Sequence, residues 1–129
     1  MSKVYLHRLM LPDKRLGRVE QNGKVYRSDA GLDDKIGRVD LDNGKIYKSK
    51  PGPDEYLGHV DLDNGKVYRH VPAGRDDYLG HIELDGKMYK HDFLAPDDYM
   101  GNIKERISFA HAGAAFMLLV LPAYEAQME

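Results

Sequence analysis

Four histidines occupy repeated places in this chain, His59 and His81 in one slot, His70 and His91 in another. Imidazoles brought together from neighbouring units bind transition metals. Arg18 and Arg38 hold the slot of His59 and His81 in other copies, so the position accepts a generic cation and no metal site is expected. Asp40–Gly44 and Asp61–Gly65 read Asp-x-Asp-Asn-Gly, like the start of an EF-hand loop. Such a loop needs glycine sixth and a bidentate glutamate twelfth. Here glycine is fifth and the twelfth residues are Pro51 and Pro72, which favours a turn over a calcium loop. With no cysteine, and with Ser2, Ser28, Ser49 and Ser108 outside any catalytic motif, no nucleophile–base set is visible. The glycines are spread one per strand end rather than gathered in a phosphate loop. The chain reads as a non-enzyme, with no catalytic residues and no cofactor.

The elements that place these residues are repeats. Tyr5, Tyr26, Tyr47, Tyr68 and Tyr89 follow one another at intervals of 21 residues. A fixed period of this size marks one supersecondary unit copied and stacked. Four full copies are readable, at 16–28, 36–49, 57–70 and 79–91. Each runs apolar-Gly-polar-apolar, acidic residues, a turn, then Lys-apolar-Tyr-basic. The turns Asn22-Gly23, Asp42-Asn43-Gly44, Asp63-Asn64-Gly65 and Asp85-Gly86 are strong hairpin signals. Two-residue turns in the first and last copies, and three-residue loops with a G1 bulge in the others, put Val19, Val39, Val60 and Ile82 opposite Tyr26, Tyr47, Tyr68 and Tyr89. On that register the buried face is Gly, Val or Ile, Tyr, with the tyrosines in the core. Gly17, Gly37, Gly58, Gly80 and Gly101 leave room for a ring or a neighbouring backbone.

Two half-copies flank the full ones. Lys3-Val4-Tyr5 is a second half without a first, and Met100-Gly101-Asn102-Ile103 a first half without a second. Pairing Val4–Leu6 with Gly101–Ile103 completes a fifth hairpin from the two chain ends and removes exposed strand edges. The expected fold is mainly β: a closed ring of five β-hairpin repeats, period about 21 residues, with a short C-terminal apolar helix. The repeated [LI]-G-x-[VI]-x-x-x-G-K-x-Y pattern, the Ala-Gly-Ala-Ala run and the leucine-rich end together resemble the bacterial β-flower hairpin-repeat family in its five-fold form. That resemblance implies a fold and no established activity. The chain departs from it in its longer, charged linkers and in Phe116, Met117 and Val120, which interrupt the C-terminal run.

The linkers 28–35, 50–56, 71–78 and 92–99 carry Pro, Gly and paired acids. Asp33/Asp34, Asp54/Glu55, Asp76/Asp77 and Asp97/Asp98 read as an acidic rim of solvated loop charge, with Tyr56, Tyr78 and Tyr99 at loop ends. Residues 1–106 form the ring and 107–129 a C-terminal segment that packs on it or in an oligomer interface. Within that segment 107–121 is apolar on every side at helical spacing, as in a helix buried in protein or lipid. Pro122 closes the run. A helix covering the ring or buried in a dimer, a strand pair from Ile107–His111 and Phe116–Leu121, and membrane insertion are the competing forms. Fifteen residues span about 22 Å at the helical rise, short of a ~30 Å hydrocarbon core. A formal net charge of −2 with mixed signs disfavours nucleic acid as a partner. The N-terminus has no secretory h-region, and a cysteine-free chain suits the cytoplasm. The expected function is a non-catalytic structural or interaction module that binds through a repeated surface or forms a homo-oligomer. The alternatives are membrane docking through the C-terminal apolar segment and metal binding by repeat His and Asp residues.

Overall fold

The computed structural model describes residues 2–29, 31–105 and 108–128. Ala30, inside the first linker, and Ile107, the first residue of the C-terminal segment, lie outside them. Ten antiparallel strands close into a barrel: β1 (Ser2–Arg8), β2 (Leu11–Val19), β3 (Lys24–Asp29), β4 (Leu32–Val39), β5 (Lys45–Lys48), β6 (Glu55–Val60), β7 (Lys66–Arg69), β8 (Asp77–Ile82), β9 (Lys87–Lys90) and β10 (Asp98–Ile103). Each strand pairs with its sequence neighbour, and the terminal strands seal the ring. Val4 stands opposite Ile103, Tyr5 opposite Asn102 and Leu6 opposite Gly101. The two half-copies therefore form the fifth hairpin.

The register differs from expectation by one residue. In β2–β3 the amide of Gly23 donates to the Glu20 carbonyl at 2.9 Å and that of Glu20 to the Lys24 carbonyl at 2.9 Å, leaving a three-residue loop, 21–23. In β4–β5 the amides of Gly44 and Asp40 donate to the Asp40 and Lys45 carbonyls, both at 2.8 Å, leaving a four-residue loop, 41–44. The other two hairpins repeat these patterns. Each loop is one residue longer than expected for its copy, so all copies still share one register, but it is shifted. Arg18, Arg38, His59 and His81 face Tyr26, Tyr47, Tyr68 and Tyr89, and Val19, Val39, Val60 and Ile82 face Val25, Ile46, Val67 and Met88. Because side chains alternate along a strand, this shift exchanges faces. Val25, Ile46, Val67 and Met88 are fully buried in the lumen. The five periodic tyrosines, expected in the core, are half-buried on the outer wall.

The apolar-Gly doublet that opens each unit is a β-bulge between hairpins. Pairing jumps past Leu16, Ile36, Leu57, Leu79 and Met100. The extra residue lets the apolar side chain and the glycine both turn inward. A Cβ on Gly17, Gly37, Gly58, Gly80 or Gly101 would collide with the backbone carbonyl of Tyr26, Tyr47, Tyr68, Tyr89 or Tyr5. The glycines thus accommodate a tyrosine's backbone, not its ring, and the last pair repeats the contact across the chain ends.

A helix fills the lumen. It runs from Phe109 to Gln127 as α1 (Phe109–Ala115), one π-helical segment (Phe116–Val120) and α2 (Leu121–Gln127). Every residue from Ala110 to Leu121 is buried. Those side chains share one core cluster with the inward-facing strand residues. Strands on several sides of the ring touch it. Among the described residues neither a lid over the ring nor a strand pair forms. Pro122 does not end the helix: lacking an N–H, proline breaks the bond to the residue four before it and crowds that carbonyl. The wider π segment precedes it, with the Leu121 amide donating to the Phe116 carbonyl.

Two outcomes test this fold. Ile46→Ala should lower the unfolding free energy by about 2–5 kcal/mol, whereas Tyr47→Ala, on the outer wall, should cost about 1 kcal/mol. The opposite order in urea denaturation would return the tyrosines to the core. Deleting residues 1–8 should bare the edges of β2 and β10 and drive aggregation in size-exclusion chromatography. A monodisperse deletion protein with unchanged unfolding would show that closure is dispensable.

Candidate functional site

The outer wall carries five related clusters, each built from a first-strand polar residue, a carboxylate from the next linker or the strand that follows it, and the tyrosine opposite. In the fifth, Asn102 also donates to the Tyr99 hydroxyl and Lys104 covers the Tyr5 ring. Arg18 binds Asp33; Arg38 Nε reaches Asp54 at 2.9 Å; His59 and His81 approach Asp76 and Asp97 at 3.6 and 3.5 Å; Asn102 donates to Asp13 at 3.3 Å. The guanidiniums of Arg18 and Arg38 lie 4.3 and 4.2 Å from the ring centres of Tyr26 and Tyr47, a cation–π geometry. His59 and His81 stack on Tyr68 and Tyr89 at 5.1 and 5.2 Å. The carboxylate thus fixes a flat cationic or imidazole group over a tyrosine ring.

Tyr56, Tyr78 and Tyr99 do not sit at loose loop ends. They stand on β6, β8 and β10, with ring centres 5.6 Å from those of Tyr47, Tyr68 and Tyr89. His70 and His91 pack 5.0 and 4.9 Å from Tyr56 and Tyr78. The result is an aromatic belt of three ring groups, from Tyr47 around to Tyr99 and His7, joined to one another through Asp76 and Asp97.

Asp76 also meets His70 at 3.5 Å, and Asp97 meets His91 at 3.4 Å. The structure therefore brings together His59 with His70, and His81 with His91, through a carboxylate between each pair. Each ring turns Nδ1 toward that carboxylate. Each carboxylate is thus shared by two imidazoles, and among the described residues no three His, Asp or Glu side chains converge on a metal-sized point. Ser28 Oγ donates to Asp33 at 3.3 Å, but Ser49, at the equivalent place, has a buried hydroxyl without a partner among the described residues. Ser2 Oγ donates to the Glu105 carbonyl at 2.6 Å, and Ser108 caps the helix.

The acid pairs divide between two faces. The first member of each joins an outer cluster, while Asp34, Glu55, Asp77 and Asp98 stand across the strand pair from Arg27, Lys48, Arg69 and Lys90 at the barrel mouth. The rim is therefore an alternation of charges instead of an acidic ring. Asp13 completes the fifth cluster and was not singled out from the sequence. A signal existed: Asp13 precedes Leu16 by three residues, as Asp33, Asp54, Asp76 and Asp97 precede Ile36, Leu57, Leu79 and Met100.

His111 brings a ring with two polar nitrogens into the lumen. The Nε2 of His111 lies 2.8 Å from the Gln21 carbonyl, which can only accept, so Nε2 donates. Nδ1 is then the acceptor for the Ser108 hydroxyl at 2.7 Å. Both ring nitrogens are satisfied, and the pair ties the helix start to the β2–β3 turn. At the other end the Tyr124 hydroxyl donates to Asp98 at 3.1 Å and Lys90 reaches Glu125 at 3.9 Å.

No protein-family model, curated protein or solved structure matches this chain.

Burial raises the phenol pKa of Tyr56, Tyr78 and Tyr124 above its usual value, and the carboxylates of Asp76, Asp97 and Asp98 add to the shift. The folded chain then holds these protons more tightly than the unfolded one. Below about pH 10, the ordinary tyrosine value, both states are protonated and stability does not respond to these groups. Above it the unfolded chain ionises first, so stability falls as pH rises. Urea midpoints measured from about pH 9 to about pH 11 should decline, and Tyr124→Phe should flatten the decline. An unchanged slope in that variant would remove Tyr124 from the account.

Proposed function

We propose that this chain is a non-catalytic interaction module of the five-fold β-flower type, cytoplasmic, which associates with copies of itself through its outer wall. The aromatic belt carries this reading. Tyrosine and histidine rings held by carboxylates present large, amphipathic contact area at low entropic cost, the kind of surface favoured at protein interfaces. Pairs such as Tyr68 with Tyr78 are half-buried by their neighbours and leave ring surface free for a partner. A wall of repeated units meeting a second such wall also suits the symmetric contacts of homo-oligomers. Sedimentation velocity from low micromolar to near-millimolar protein should show mass rising above the monomer. Tyr68→Ser combined with Tyr78→Ser should shift that rise to higher concentration. A monomer throughout, or association indifferent to the double variant, would overturn the proposal.

Membrane contact is the second reading, and a specific observation favours it. Leu9, Met10, Leu11, Leu32, Phe93 and Leu94 are exposed large apolar side chains. They stand on the β1–β2, β3–β4 and β9–β10 connections, which are consecutive around the closed ring. The apolar helix, expected to dock to lipid, is enclosed by the barrel, so on this reading the loop tips make the contact.

A further inference from the structure

The helix does not fill the barrel mouth evenly. Tyr124, Lys90 and Glu125 tie its C-terminal end to the β9–β10 side. On the opposite side, along β2 to β6, two adjoining cavities of about 620 and 650 Å³ open between helix and wall, sharing Arg27, Leu118 and Pro122 as lining. These volumes fall in the range of small-molecule sites. The floor is apolar, from Leu16, Ile36 and Leu57 on the bulges and Met117–Leu119 on the helix. The walls carry Lys14, Arg15, Arg27, Lys35 and Lys48, against the single carboxylate Asp34.

The cations are poorly neutralised. Arg27 shares Asp34 at 3.9 Å. Glu55, across the strand pair from Lys48, pairs with Lys50 at 2.8 Å and interacts only at longer range with Lys48. Lys14, Arg15, Lys35 and Lys48 make no ion pair among the described residues, in a chain whose formal net charge is −2. An apolar floor beneath uncompensated positive charge complements one kind of molecule, apolar at one end and anionic at the other. The two connections beside this groove end in the exposed tips Leu9–Leu11 and Leu32, so an alkyl chain meets apolar surface beyond the rim as well.

We propose that this groove binds an amphiphile with an anionic head group. The head lies among Arg27, Lys48 and their neighbouring cations, and the chain lies against the bulge residues and the π-helical stretch. This site is separate from the outer wall and stands whether or not the chain self-associates.

The test uses the full chain with dodecyl phosphate below its micelle concentration, followed by calorimetry. Dodecyl phosphate should bind, more weakly as salt is raised. Inorganic phosphate alone and dodecyl maltoside should bind far more weakly. Arg27→Glu with Lys48→Glu should reduce affinity roughly tenfold or more, through lost attraction and added repulsion. Arg69→Glu, at the same repeat position but outside the groove, should leave it unchanged. Circular dichroism and urea midpoints confirm that the variants fold; Arg27→Gln with Lys48→Gln replaces the double reversal should that fail. Vesicles containing phosphatidylglycerol identify the source: sedimentation with them, lost in Leu9→Ser with Met10→Ser, points to a bilayer lipid, and dodecyl phosphate binding without vesicle binding points to a free amphiphile. The proposal is overturned if dodecyl phosphate does not bind, if the maltoside binds equally well, or if the groove variants and Arg69→Glu behave alike.

Discussion

A ten-stranded barrel encloses more space than its own small side chains can fill, and the molecule depends on how that space is occupied. Eight strands leave an interior that side chains fill, and wider barrels need a plug, a ligand or water. Here the inward strand residues are mostly glycines, valines, isoleucines, leucines and methionines, and the remaining volume is taken by the helix. The requirement runs both ways. A helix apolar on every side has no stable place in water unless it is surrounded, and the barrel surrounds it. Small residues make the fit possible: Gly113 lies against Val60, where a Cβ would overlap that side chain.

The same constraint shapes the wall. Each hairpin contributes a bulge that directs an apolar side chain inward beside a glycine, and the glycine permits the close approach of the facing tyrosine's backbone. Bulges sharpen the bend of a sheet, and five of them distribute the curvature that closure requires. Bulky rings have no room in a lumen already holding a helix. They lie outside, where arginines and histidines of the facing strands cover them and carboxylates further along the chain hold those groups in place. The outer clusters are therefore a consequence of the filled interior as well as a surface for partners.

At the mouth the fit loosens. The helix end is anchored to β9–β10 by Tyr124 and Lys90, while among the described residues the β2–β6 side carries no matching anchor. A five-fold wall around a single helix cannot be equally close on every side, because the helix has no five-fold symmetry. The asymmetry leaves the groove beside Arg27, and the repeat supplies its cations.

Much of this was legible in the chain. The 21-residue period, the Asn-Gly and Asp-Gly turns and the two complementary half-units determined a closed ring of five hairpins, because these signals are local or depend only on counting. The apolar run 109–121 pointed to a buried helix but left a strand pair and membrane insertion open, because a run apolar on every side does not say what surrounds it. Which face of each hairpin is buried was decided by the tertiary structure. A loop one residue longer exchanges the two faces, both faces carry apolar residues, and only the presence of the helix makes the valine face the inner one. The outer clusters were visible as separate parts, as His59, Asp76 and Tyr68 for example, but their union required the β-bulge that sets each loop carboxylate beside the preceding hairpin. The groove was not legible at all. Lys14, Arg15, Arg27, Lys35 and Lys48 lie on four different strands, and only closure of the barrel and the lean of the helix bring them to one opening.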